Sequence, residues 1–135
     1  MGTIVVGYVP KPEGRAALRR AAEEARLRGS KLVVVNSHRG GREFDREDAM
    51  DSEEQLEEVQ RELRDAGVEH EVRQLVRGMD PADDLINVAT EVSAEFIVIG
   101  LRRRSPVGKL ILGSNAQRVL LDAPCPVLAV KADED

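Results

Sequence analysis

The stretch that decides the fold runs from Glu95 to Lys131, EFIVIGLRRRSPVGKLILGSNAQRVLLDAPCPVLAVK. It opens on a continuous apolar run, Glu95–Gly100, and closes on a second, Pro126–Lys131. Continuous β-branched runs fit strands covered on both faces, as in a parallel sheet. Between them lie a basic connection, a Gly113-Ser114 pair and a short helical pattern, Ser114–Leu121, stopped by Asp122-Ala123-Pro124. Parallel neighbours need such a crossover, so this third of the chain reads as strand, helix, strand.

The rest of the chain repeats that unit. Thr3–Val9 and Lys31–Ser37 are further continuous runs, whereas Glu69–Leu75 alternates and suits a strand nearer an edge. Pro12–Arg28 places Leu18, Ala21, Ala22 and Ala25 on one helical stripe, with Pro12 near its start and Gly29 after its end. Asp51–Ala66 carries Leu56, Val59 and Leu63 and is followed by Gly67. Asp80-Pro81 opens a third helix with Leu85, Val88, Ala89 and Val92 facing inward. The polar segment His38–Met50 reads as a mobile loop, and the tail 132–135 as frayed. Strands alternating with helices predict an α/β fold, an open five-stranded parallel sheet with four helices on its two faces.

Composition sets the function classes aside in turn. The 135 residues suit one domain, 1–135. The chain is 41% hydrophobic and 33% charged, which is globular rather than disordered. Aromatics are limited to Tyr8, Phe44 and Phe96, too few for a base-stacking platform. A net charge of −5 offers no general attraction to nucleic acid or anionic membrane, so neither is expected as a partner. No apolar run approaches the roughly 20 residues of a membrane span, and the N-terminus lacks a secretory pattern; a cytoplasmic protein is expected. The single Cys125, between two prolines, reads as a small apolar residue, and His38 and His70 lack metal-like spacing.

In an open α/β sheet, ligands bind beyond the carboxyl ends of the strands where strand order reverses. Two connections matter: Val9–Pro12 after strand one and Leu101–Gly113 after strand four, the second unusually long. Gly113-Ser114 opens a helix whose free N–H groups and dipole suit phosphate. Arg102, Arg103, Arg104 and Lys109 add positive charge. The alternative is a plain turn in which Ser114 caps the helix and the arginines are solvated. No nucleophile elbow, Walker motif or paired carboxylates on either loop point to catalysis, so no catalytic residue is assigned.

The chain as a whole resembles the universal stress protein family, most specifically in a strand ending in Gly, a basic loop, Gly-Ser, a short helix and "APCPVLAV". The resemblance implies strand order 3-2-1-4-5 and homodimers paired through the fifth strand, Pro126 to Val130. One branch of the family binds ATP through G-x2-G-x9-G-[S/T]. Here Gly100, Gly113 and Ser114 match, but Arg103 stands at the second glycine. By resemblance, Gly100, Arg102 and Arg103 line the phosphate and ribose side, Gly113, Ser114 and Asn115 meet the phosphates, and Ser37 lies near the adenine. Val9 takes the place of an Asp usual in nucleotide-binding members, followed by Pro10 and Lys11. Val9 and Pro10 complete the expected site.

The family therefore implies a stress-response regulatory protein binding ATP or a related adenine nucleotide at the 100–115 loop, with Mg2+ only alongside ATP. At most very slow hydrolysis is expected, and no resident metal. The alternative is a dimeric module that binds no nucleotide and acts through protein partners; Val9 and Arg103 favour it.

Overall fold

A computed structural model describes residues 2–38, 46–76, 80–101 and 113–132. In chain order the elements are β1 (Thr3–Gly7), α1 (Pro12–Arg28), β2 (Lys31–His38), α2 (Arg46–Asp65), β3 (His70–Val76), α3 (Pro81–Val92), β4 (Phe96–Leu101), α4 (Ser114–Asp122) and β5 (Val127–Lys131). All strand pairs are parallel, in order β3-β2-β1-β4-β5. This is the expected α/β sheet in the expected order.

The register explains why the central strands are apolar throughout. Along β1, Ile4 and Val6 face one helical layer and Val5 the other. Along β2, Leu32 and Val34 share a face, and Val33 and Val35 the opposite one. A strand's side-chain period of two thus buries every residue when both faces are covered. The first core is closed by α1 and α2 through Leu18, Ala21, Leu56, Val59 and Leu63. The second is closed by α3 and α4 through Leu85, Val88, Ala89 and Val119. Burying an aliphatic side chain of this size contributes roughly 1.5–3 kcal/mol. Val119 is the one buried residue of α4, so that helix is held mainly by a single aliphatic anchor.

Helix ends follow local chemistry. Pro12 occupies the first turn of α1, and Gly29 ends the helix in the left-handed region at φ 65°, its N–H returning to Ala25 O. The Arg28 guanidinium then lies 5.0 Å from the centre of the Phe96 ring, a cation–π contact closing the base of α1 over β4. Asp80 and Pro81 start α3 as expected, though the Asp80 side chain makes no capping bond. The helix ends at Ser93, a non-glycine residue at φ 53°.

Two boundaries differ from the expectation by more than one residue. Helix α2 begins at Arg46, so the last five residues of the expected loop 38–50 are helical. The stretch REDAM consists largely of good helix formers, and its charge, rather than low propensity, made it resemble a loop. Residues 39–45 of that loop lie outside the described residues. Strand β1 ends at Gly7, two residues early: Tyr8 N–H still reaches Val35 O at 2.9 Å, but Lys11 N–H turns back to Val9 O at 2.8 Å.

The sheet's two edges contrast. On β3, Glu71 bonds both Lys31 (3.2 Å) and Arg73 (2.6 Å), and Arg73 reaches Glu91 of α3 at 2.7 Å. Arg73 and Lys31 hold the Glu71 carboxyl below its ordinary range against a smaller opposing effect of burial. On β5, Val127, Leu128, Ala129 and Val130 form an apolar run, with no such ladder among the described residues.

Candidate functional site

The chain order reverses between β1 and β4, and a cleft of about 250 Å³ opens there at the carboxyl ends of the strands. Its floor is backbone. Gly14, in the first turn of α1, sits so close under the β1–α1 connection that a β-carbon on it would overlap Val9 O. Gly100, near the end of β4, meets the same turn from the other side: a β-carbon there would overlap Glu13 O. Only glycine allows such backbone approach, so Gly100, expected as a ligand contact, also carries a packing role that the sequence did not show.

The walls are largely apolar, with Val9, Val35, Leu85 and Ile99 among them. Among the described residues that line it, those with polar side chains are few: Tyr8, Glu13, Ser37 and Asn115. This balance, apolar walls with a few placed polar groups, is that of small-molecule pockets. At one rim stands the start of α4. Gly113 is its N-cap, extended at φ −72° and ψ 167°, and as a glycine it offers the helix no side-chain acceptor. Ser114 is therefore the first helical residue rather than the cap. Gln117 N–H is taken by Gly113 O at 3.0 Å, which leaves the first turn's N–H groups as the polar end of the helix.

The expected site residues distribute unevenly. Val9, Ser37, Gly100 and Asn115 line the cleft together. Gly113 and Ser114 are exposed at the start of α4, and Pro10 is exposed on the β1–α1 connection, outside the lining. Arg102 and Arg103, with the rest of 102–112, lie outside the described residues. Val9 is 39% exposed, a large apolar side chain presented at the mouth.

Sequence reasoning missed two carboxylates. Glu13 lines the cleft from α1. Asp84, on the first turn of α3, is only 2% exposed, and its Oδ2 accepts a hydrogen bond from Ser37 Oγ. The signal for Asp84 was present: it precedes Val88 and Val92 at spacings of four, on the stripe that faces the sheet. Its neighbour Asp83 turns outward and accepts from Arg118 of α4 at 2.6 Å, tying the two helices together. Among the described residues, no three His, Cys, Asp or Glu side chains come together as a metal site. Burial pushes the Cys125 thiol up, which fits an unreactive side chain packed against the α3–α4 core. No helix of the described residues is long and apolar enough to cross a membrane.

Known proteins match this architecture along nearly its whole length. The model of the universal stress protein family matches residues 1–131. A universal stress protein of Mycolicibacterium smegmatis is 47% identical over 128 residues, covering 95% of this chain and 96% of that one. A universal stress protein structure from Archaeoglobus fulgidus is 45% identical and superposes with a TM-score of 0.84 over 97% of this chain and 99% of that one. Another from Archaeoglobus fulgidus, solved in complex with dAMP, is 39% identical, with a TM-score of 0.78 over 97% and 98% of the two chains. On this sequence match, fold and strand order, the chain belongs to the universal stress protein family.

Proposed function

We propose that this protein is a stress-response regulatory module that binds an adenine nucleotide, of the AMP or ATP type, in the cleft at the β1/β4 reversal. The observation that carries the reading is the N-terminus of α4, capped by a glycine without a side chain, standing beside an apolar cleft. The walls suit a nucleobase, and a helix start whose N-cap residue carries no side-chain acceptor suits a phosphate. The 39%-identical relative solved with dAMP supports the same assignment. Mg2+ would enter only with the phosphates of ATP. Binding rather than turnover is the expected activity.

The module is further proposed to pair with a second copy through β5, an apolar edge strand whose unpaired backbone groups favour strand addition. Leu120 and Leu121, 42% and 82% exposed on the helix that leads into β5, add apolar surface. Light scattering of the purified chain that gives a monomer mass at micromolar concentration would remove this part of the proposal.

The nucleotide reading is tested by calorimetry with AMP and ATP on wild type, Ser114→Ala and Ser114→Pro. Proline fits the first helical position and removes one N–H without breaking the helix, and the extended Gly113 tolerates a following proline. A charge-assisted hydrogen bond contributes about 1.5–3 kcal/mol, so Ser114→Pro should weaken binding roughly tenfold to a hundredfold. Ser114→Ala separates the hydroxyl from the backbone contribution. Absence of heat and of any thermal shift at millimolar nucleotide overturns the reading and leaves the partner-binding module, which Val9 at the mouth favours.

A further inference from the structure

Helix α4 is held to the rest of the molecule by few groups. Helix α1 buries six residues and α3 five, whereas α4 buries Val119 alone. That anchor is also a wall of the cleft: Asn115, Ala116 and Val119 share one helical face and all three line it. Val119 packs into the second core with the small, partly buried Ala116 and Ala123 to either side. A further tie lies at the surface, where the half-exposed Arg118 reaches Asp83 of α3 at 2.6 Å. An element with so few buried apolar contacts opens locally at small cost. At its other end α4 sets the start of β5. Ala123 N–H bonds Val119 O at 2.9 Å. Pro124 and Pro126 restrict the connection, and Ala123, Cys125 and Val127 pack on the same core as Val119. Pro126 O then accepts Ile97 N–H at 3.0 Å, so the connection passes straight into the β4–β5 ladder.

We infer that α4 couples the cleft to the β5 edge: a ligand in the cleft closes against Val119 and completes the seat of α4, and the seated helix fixes the entry to β5, so that occupancy of the cleft strengthens the pairing of two copies. The inference rests on the nucleotide and pairing readings above and supplies a link that neither contains. The element has two positions, α4 seated in the core and α4 released from it. A ligand shifts such an equilibrium only through its preference for one position. Here the preference is geometric, because a released α4 takes three side chains of the cleft wall with it. Strand addition shares that preference, since an edge templates a partner through a row of backbone groups held in place. Two events that favour one position favour each other, by a factor equal in both directions. Each protomer of a pair contributes a seat, so the factor enters twice. Arg118 and Asp83 are positioning residues: neither lines the cleft or lies on β5.

The experiment measures the monomer–dimer constant of the full chain by sedimentation, with and without saturating AMP, on wild type and Arg118→Gln. Wild type should dimerise roughly fivefold or more tightly with AMP, and AMP should bind the dimer more tightly than the monomer. Arg118→Gln removes the tie to α3 at an exposed ion pair, which leaves the global fold in place. Its ligand-free dimer should be weaker than that of wild type, and AMP should recover most of the loss, so that the AMP effect grows. A merely structural loss would leave the AMP effect unchanged. Hydrogen exchange on protein diluted to monomer gives a second readout. AMP should slow the amides of residues 117–122 and leave those of residues 19–27 in α1 as they were. Dimer constants within about twofold with and without AMP, in a chain that both binds AMP and dimerises, overturn the inference and leave both readings intact. An AMP effect no larger in Arg118→Gln than in wild type also overturns it, as do α4 amides that gain no protection. Failure to bind AMP overturns the nucleotide reading, and a monomer at every concentration with and without AMP overturns the pairing reading; the inference falls with either.

Discussion

Replacing Gly100 by alanine asks whether this motif glycine serves the fold, a ligand or both. The new β-carbon would overlap the Glu13 carbonyl oxygen. Carbon and oxygen approach no closer than about 3.3 Å even in favourable Cα–H···O contacts. Both sides of the clash are backbone, so no change of rotamer relieves it, and the first turn of α1 must move off β4. That turn is pinned from the far side, where Val9 O lies over Gly14, and by the buried Ala16 and Ala17 behind it. Overpacking a close-packed core costs about 1–3 kcal/mol. With neither neighbour able to yield, the upper end is expected: about 3 kcal/mol, or a melting temperature lower by roughly 10 °C. Urea denaturation of the ligand-free protein measures the loss, with Gly113→Ala as reference. A β-carbon on Gly113 meets nothing within 4 Å, so that change costs only the N-cap preference for glycine, about 0.5–1 kcal/mol. A Gly100→Ala protein as stable as Gly113→Ala would refute the packing argument and return Gly100 to a purely ligand-facing role.

Three further outcomes follow from particular contacts. Glu71→Gln should cost under about 1 kcal/mol at neutral pH, because the ion pairs are partly solvated. Since the folded Glu71 carboxyl is held below its ordinary range, its contribution is present above that range and disappears as pH falls through the lowered value; denaturation curves of wild type and variant should converge in acid. Ser93→Gly should stabilise the protein by about 0.5–1 kcal/mol by relieving a left-handed residue at the end of α3, read from the denaturation midpoint. Cys125 should react with iodoacetamide more slowly than free cysteine at pH 8, because burial raises its thiol; a rate equal to or above that of free cysteine would contradict the packed position.

Much of this was legible in the sequence because it is local. The apolar runs at Lys31–Ser37 and Glu95–Gly100 announce strands buried on both sides, and they are β2 and β4. Pro12 with Gly29, and Asp80 with Pro81, mark helix ends by backbone chemistry that does not depend on the rest of the fold. The start of α2 was obscured because REDAM sits next to a glycine-containing charged stretch. The site was harder to read because its contacts join distant residues. Ser37 and Asp84 are 47 positions apart, and periodicity placed Asp84 on a buried stripe without saying what it would meet. Gly100 matched a ligand motif, and nothing local reveals that a helix backbone lies against it.

The unlike edges of the sheet bear on how copies of this chain can assemble. One edge, β3, carries the Lys31–Glu71–Arg73–Glu91 ladder; the other, β5, is apolar. A sheet adhesive at both ends would propagate copy after copy into a fibre, since each addition exposes a fresh acceptor. A sheet adhesive at one end has no second site to offer once β5 is covered. If β5 pairs with a second copy as proposed, the charged ladder along β3 would act as a chain terminator, limiting growth by strand addition to a closed pair.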